Sequence, residues 1–177
     1  MPQKKKVLMV CLGNSCRSPI AEAVFNVQLE KLNLRDFWEV DSAALLEYHV
    51  GNDPEPRAMS VLKKRGITHY THKARQIKKD DFYKFDWILG MDSAITYDLC
   101  QMQPEGSQVK IELLGKYDPN GELNIRDPLF DHNSAGFEKA FEQATRSIQS
   151  FLKHHTGIFL YHDVCHKFFL SDILITT

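Results

Sequence analysis

Residues 7–19 read VLMVCLGNSCRSP. The apolar run Val7 to Val10 is too short for a helix and has the look of a strand buried on both faces. Ser18 is a good helix N-cap and Pro19 a good first helical residue. Beyond them Ile20, Ala23, Val24 and Val27 fall at helical spacing, as do Phe25, Leu29 and Leu32. The stretch therefore reads strand, loop, helix, and the loop between carries two cysteines, a glycine and an arginine.

The same alternation continues outward. Phe37 to Val40 reads as a second strand, and Pro56 to Arg65 as a helix stopped by Gly66. Trp87 to Leu89 reads as a third strand ending near Met91 and Asp92. Val109 to Leu113 reads as a fourth. Phe137, Phe141, Ala144, Ile148 and Phe151 mark a long amphipathic closing helix. Strands alternating with helices predict an α/β three-layer domain, a parallel sheet wrapped on both faces. Ligands of such sheets sit beyond the carboxyl ends of the strands. Cys11 lies at that end of the first strand.

The bulk properties fit one globular domain: 177 residues, 43% hydrophobic, 25% charged, net charge -1. A balance this close to neutral argues against a nucleic-acid partner. The basic clusters Lys4-Lys5-Lys6 and Lys63-Lys64-Arg65 read as solvated surface. No secretory signal is visible, so a cytoplasmic location is expected. Cys11, Cys16, Cys100 and Cys165 are too irregularly spaced for a disulfide scaffold. No Cys/His cluster has zinc-ligand spacing, so neither a metal nor another cofactor is expected.

A loop entering a helix N-terminus turns several backbone N–H groups toward one point, and the helix dipole adds positive potential there. Gly13 and Asn14 tolerate the left-handed dihedrals of an anion nest. Arg17 adds a fork that matches phosphate. The same field favours a thiolate at Cys11, to which Ser18 can donate its hydroxyl. An oxyanion cradle with a nucleophile at its floor is equipment for phosphoryl transfer through a cysteinyl-phosphate. Such a reaction needs a proton donor for the leaving oxygen. Arg126-Asp127-Pro128 offers one after the last strand.

VCLGNSCRSPIAEAVF resembles the signature of the low-molecular-weight protein tyrosine phosphatases. The resemblance continues through VDSAA (40–44), YHVGNDPEPRA (48–58), HKARQI (72–77), Met91-Asp92, IELLGKYDP (111–119) and IRDP (125–128). It covers roughly residues 5 to 154 with the motifs in family order. It implies a three-layer αβα fold with a mostly four-stranded parallel sheet in the flavodoxin-like order 2-1-3-4, as a domain over residues 1–154. It implies Cys11 as nucleophile, Arg17 as phosphate clamp and Asp127 as general acid, then base. Backbone N–H groups of Leu12, Gly13, Asn14, Ser15, Cys16 and Arg17 would hold the phosphate, with Ser18 beside them. Asn14, Ser42 and His72 match a buried hydrogen-bond network that shapes the loop. Asp92 matches a supporting position that a plain helix N-cap explains equally well. Tyr48 matches an aromatic wall of the cleft, and Cys16 a thiol that traps oxidised Cys11 as a disulfide. The implied partners are phosphotyrosine-containing proteins, met by a monomer or weak dimer.

The chain departs from the family pattern in four places. Leu129-Phe130 stands where many members carry two tyrosines, although Phe130 can still stack on an aromatic ring. Ser15 replaces the usual branched apolar residue, and phosphoarginine-selective relatives carry threonine there. Leu45-Leu46-Glu47 replaces small polar residues of the variable loop. Residues 155–177 form an apolar tail, interrupted by His162, Asp163, His166, Lys167 and Asp172, which makes a membrane span unexpected; a segment packed on the domain or one with little structure is expected, with a weak membrane or partner contact left open. Three other functions compete with phosphotyrosine hydrolysis. A phosphoarginine-selective phosphatase would share the fold. A thioredoxin-linked arsenate reductase would need a resolving cysteine pair, and only Cys100 and Cys165 remain. A non-catalytic phosphoprotein-binding module would have lost the nucleophile, the arginine or the acid, and all three are present.

Overall fold

The structure, a computed structural model, describes residues 3–157. Strand β1 (Lys5–Cys11) is central, between β2 (Trp38–Ala44) and β3 (Trp87–Gly90), and β4 (Lys110–Leu113) lies outside β3. The order is β2-β1-β3-β4 and every pairing is parallel. This is the expected fold. The helices are α1 (Arg17–Lys31), α2 (Pro56–Lys64), α3 (Asp81–Lys84), α4 (Ser93–Met102) and α5 (Ala135–Thr156). The chain steps from β1 to β2 in one direction and from β3 to β4 in the other. Right-handed crossovers then put α1 and α4 on opposite faces of the sheet. The strand order reverses between β1 and β3, so a crevice opens at the carboxyl end of β1, where the chain enters the CLGNSCRS loop.

Several boundaries differ from the sequence reading, and each has a cause. β2 runs four residues past Val40 because Asp41 and Ser42 turn toward polar partners while Ala43 and Ala44 still pair with β1. Phe37 lies outside the strand and is exposed. α1 begins at Arg17, with Cys16 in the N-cap position and no side-chain cap. Ser18 and Pro19 are thus the second and third helical residues. Ser18 does not cap because its hydroxyl is committed to Cys11 and Asn14. The left-handed bend falls on Asn14 (φ 54), not on Gly13. Glycine at 13 answers a different constraint: a Cβ there would stand 2.7 Å from Cδ2 of His49.

At the opposite end of the sheet the core is aromatic. Trp38 and Trp87 stack at 5.5 Å, and Phe151 of α5 stands edge-on to both. Phe25 and Tyr117 close the cluster at 6.0 and 5.0 Å from Phe151. α5 continues through His155, 4.5 Å from the Phe151 ring, to a left-handed Gly157. The part of the tail from residue 158 onward lies outside the described residues. Among the described residues no helix is long and apolar enough to cross a membrane. Phe151 is fully buried at this junction of α5 with the sheet. Phe151→Ala should cost about 3–5 kcal/mol through lost contacts and a cavity, measured as the shift of an equilibrium urea or guanidinium transition.

Candidate active site

Cys11 is the last residue of β1 and is buried. Its Sγ receives the Asn14 N–H at 3.2 Å and lies 3.0 Å from the Ser18 hydroxyl. Which atom donates in the second contact follows from Asn14. The Asn14 Oδ1 accepts from the backbone N–H of Arg75 at 3.0 Å and lies 2.7 Å from His72 Nε2. Its Nδ2 therefore donates, at 2.9 Å, to both Ser18 Oγ and Ser42 Oγ. Ser18 accepts from Asn14, so its one hydrogen is free to point at the sulfur. Two donors thus face Sγ, each fixed by the same buried amide.

Arg17, the first residue of α1, is buried and reaches across the crevice. Nη1 donates to Asp92 Oδ2 at 2.6 Å and to the Ile125 carbonyl at 3.0 Å; Nη2 donates to Asp127 Oδ2 at 2.9 Å. Its Nε is buried with no protein partner. Nearby negative charge on Cys11 and Asp127 raises the Arg17 pKa against the opposing effect of burial. Asp92 makes two contacts at once. Oδ1 caps α4 by accepting the Ile95 N–H at 2.9 Å, while Oδ2 holds the guanidinium. Asp127 is anchored from its own loop by the Leu129 N–H, at 3.1 Å to Oδ1.

Among the described residues, the N–H groups of Gly13, Ser15, Cys16 and Arg17 donate to no protein acceptor. They surround a cavity of ≈ 180 Å³ lined by Cys11, Arg17, Asp127, Tyr48, Leu129 and Phe130 among others. Unpaired N–H groups, an unpartnered guanidinium N–H and a helix N-terminus form a site for a tetrahedral oxyanion. Tyr48 and Phe130, both exposed, belong to the cavity lining. A larger hollow of ≈ 380 Å³ lies between α1 and residues 66–71, but no cysteine lines it.

Behind the loop, Ser42 donates to Glu22 Oε2 at 2.6 Å, and Tyr70 donates to the same oxygen at 2.8 Å. His72 Nδ1 stands 3.3 Å from it. Burial pushes the Glu22 carboxyl up to about 7, opposed by the Ser42 and Tyr70 hydrogen bonds. Burial likewise pushes the Tyr70 hydroxyl up, with the Glu22 charge adding to it, and lowers His72 against the pull of Asp41. Glu22, Asp41 and His72 have donor atoms within 4.8 Å of one another, a geometry that could hold a cation. Those atoms are engaged by Ser42, Tyr70 and Arg75 instead. Glu22 and Tyr70 were not foreseen. Glu22 could have been found, since it follows Ser18 by one helical turn and shares its face.

Cys16 lines the cavity beside Cys11. Burial, then the charge of Cys11, pushes its thiol up to about 12. Cys11, Cys16 and Cys100 are all free. Cys100 is exposed on α4 and does not line the cavity, and Cys165 lies outside the described residues.

Residues 6–156 match the family model for the low molecular weight phosphotyrosine protein phosphatase. The chain is 48% identical over 151 residues to the protein of that name from Sus scrofa, covering 84% of this chain and 94% of the relative. Among solved structures it is similar to Primo-1 (45% identity, TM-score 0.81, 84% of this chain and 97% of the other). It is also similar to DARP, described as a Drosophila arginine phosphatase (39% identity, TM-score 0.79, 85% and 98%). With this agreement over sequence, sheet order and loop, the chain belongs to the low molecular weight phosphotyrosine protein phosphatase family.

Proposed function

We propose that Cys11, Arg17 and Asp127 hydrolyse phosphotyrosine in proteins, and small aryl phosphates, through a cysteinyl-phosphate. Family membership makes the chain a hydrolase of phosphoric monoesters. The observation that carries the residue assignment is Arg17: its guanidinium spans from the loop to Asp127 across the cavity floored by Cys11.

The phosphoryl oxygens sit on the N–H groups of Gly13, Ser15, Cys16 and Arg17 and on the Arg17 fork. Cys11 Sγ attacks phosphorus in line with the bridging oxygen. The S–P bond forms, the P–O bond breaks, and the Asp127 carboxyl hands its proton to the departing tyrosyl oxygen. In the second step a water attacks phosphorus, Asp127 accepts its proton, and the P–S bond breaks. The Ser18 hydroxyl and the Asn14 N–H then stabilise the departing sulfur, because both already point at it. Nucleophile, positive charge and acid all come from the chain, so the reading calls for no cofactor. If Cys11 is oxidised to a sulfenic acid, the Cys16 thiol can displace water from it to close a protective disulfide.

The reading includes a cytoplasmic protein, a monomer or weak dimer, whose partners are phosphotyrosine proteins. The free thiols of all three described cysteines fit a reducing compartment. Residues 1–154 form the catalytic domain in this reading. A phosphoarginine substrate is the second possibility, favoured by the similarity to DARP and by Ser15 in the cavity wall.

Cys11→Ser should lower turnover of a phosphotyrosine peptide by at least about 10³-fold, and full activity in that variant would refute the assignment. Asp127→Ala should slow phenyl phosphate by about 10²-fold but p-nitrophenyl phosphate much less, since nitrophenolate leaves without a proton. Equal losses on both esters would remove Asp127 from the acid role. Side-by-side hydrolysis of phosphotyrosine, phosphoserine and phosphoarginine peptides separates the two substrate readings; a preference for phosphoarginine would overturn the first.

A further inference from the structure

The rim of the cavity carries exposed apolar side chains that neither the chemistry nor the fold requires. Leu12, Leu46, Tyr48, Val50 and Phe130 are five of the ten large hydrophobic residues exposed among the described residues. All five sit on the three loops, 12–16, 45–51 and 127–131, that supply residues to the cavity lining. Leu12, Tyr48 and Phe130 line the cavity itself. Leu46 is fixed beside Leu12 by its N–H donating to the Leu12 carbonyl at 2.9 Å. Val50 ends the turn that presents Tyr48 and His49, its N–H donating to the Glu47 carbonyl. Leu46 (38% exposed) and Val50 (51%) lie outside the cavity lining, so a bare aryl phosphate does not reach them.

The charges around this rim are neutralised or acidic. Lys73 pairs with Asp53 at 2.9 Å, and Arg126 pairs with Asp131. Arg57 is spent on Glu55 and on the Leu129 and Asp131 carbonyls. Glu47 is exposed next to Leu46. Among the described residues, Lys73, Arg126 and Arg57 at this rim are all paired, so acidic residues flanking a phosphotyrosine gain little there, while the rim offers apolar contact. Exposed apolar surface continuous with a binding cavity marks a recognition surface.

Resting on the catalytic reading above, we infer that Leu46 and Val50, with Leu12 and Phe130, form a docking crescent for large apolar residues flanking the phosphotyrosine of the substrate. The crescent selects segments with Leu, Ile, Met or Phe beside the phosphorylated residue and disfavours Asp or Glu there. Partial burial of one such flanking side chain corresponds to about a fivefold gain in kcat/KM.

The test compares three phosphotyrosine peptides, identical except for Leu, Ser or Glu on both sides of the phosphotyrosine, with p-nitrophenyl phosphate as a probe that stops at the cavity. The full chain should prefer the Leu peptide to the Glu peptide by about tenfold or more, with the Ser peptide between them. Leu46→Glu should lower kcat/KM for the Leu peptide about fivefold and leave p-nitrophenyl phosphate unchanged. Leu46→Ala, which adds no charge, should shift it in the same direction by less. Equal turnover of the three peptides, or a Leu46→Glu variant with the preference of the parent, would overturn the docking inference while the catalytic reading stands. Absence of turnover on every phosphate ester would overturn both. A concentration-dependent dimer that Leu46→Glu dissolves, with no flank preference, would assign the crescent to a second copy of the chain.

Discussion

The two donors that face the Cys11 sulfur at the carboxyl end of β1 both depend on one buried residue, Asn14. Its carbonyl oxygen is held by His72 and the Arg75 N–H, so its NH₂ must face Ser18 and Ser42. That assignment sends the Ser18 hydrogen toward Cys11. The same residue takes the left-handed dihedral that brings its own N–H onto the sulfur. Asparagine is among the few residues that tolerate such a φ and can also satisfy four hydrogen bonds. A buried network of this kind gives rigidity only when every member is satisfied. Here Glu22 and Tyr70 complete the outer side of it.

In the proposed reaction, order therefore comes from preorganisation. The N–H groups that would hold an oxyanion already line one cavity, because the loop is anchored by β1 behind, α1 ahead and the Asn14 network beneath. Arg17 adds a buried guanidinium. It is held on one side by Asp92 and the Ile125 carbonyl, and on the other it meets Asp127. The fold separates this polar end from the aromatic cluster around Phe151 at the far end of the sheet. The hydrophobic residues there stabilise the domain without crowding the site.

The loop was legible in the sequence because its chemistry is local. A strand, a short turn with Cys11, Gly13, Asn14 and Arg17, and a helix follow each other within about two turns of chain, and each residue type has a physical reason to be there. The ends of elements were less legible. β2 was read as ending at Val40, because Asp41 and Ser42 look like loop residues until their partners Arg75 and Glu22 are known. Ser18 reads from sequence both as a helix cap and as a donor to Cys11, and only the fold shows that the second use excludes the first.

The sequence by itself determined the alternation of strands and helices, hence the parallel sheet, and it named Cys11, the 12–17 loop and Asp127 as the residues on which the proposed reaction rests. Period and turn chemistry are properties of neighbouring residues, so they survive without coordinates. Tertiary structure alone decided which distant residues meet. It brought Glu22, Ser42, Tyr70 and His72 under one loop, set Asp92 and Asp127 on either side of a guanidinium, and gathered Leu12, Tyr48 and Phe130 around one cavity. Those contacts join residues tens of positions apart, and sequence spacing carries no information about distances that only the packing of elements fixes.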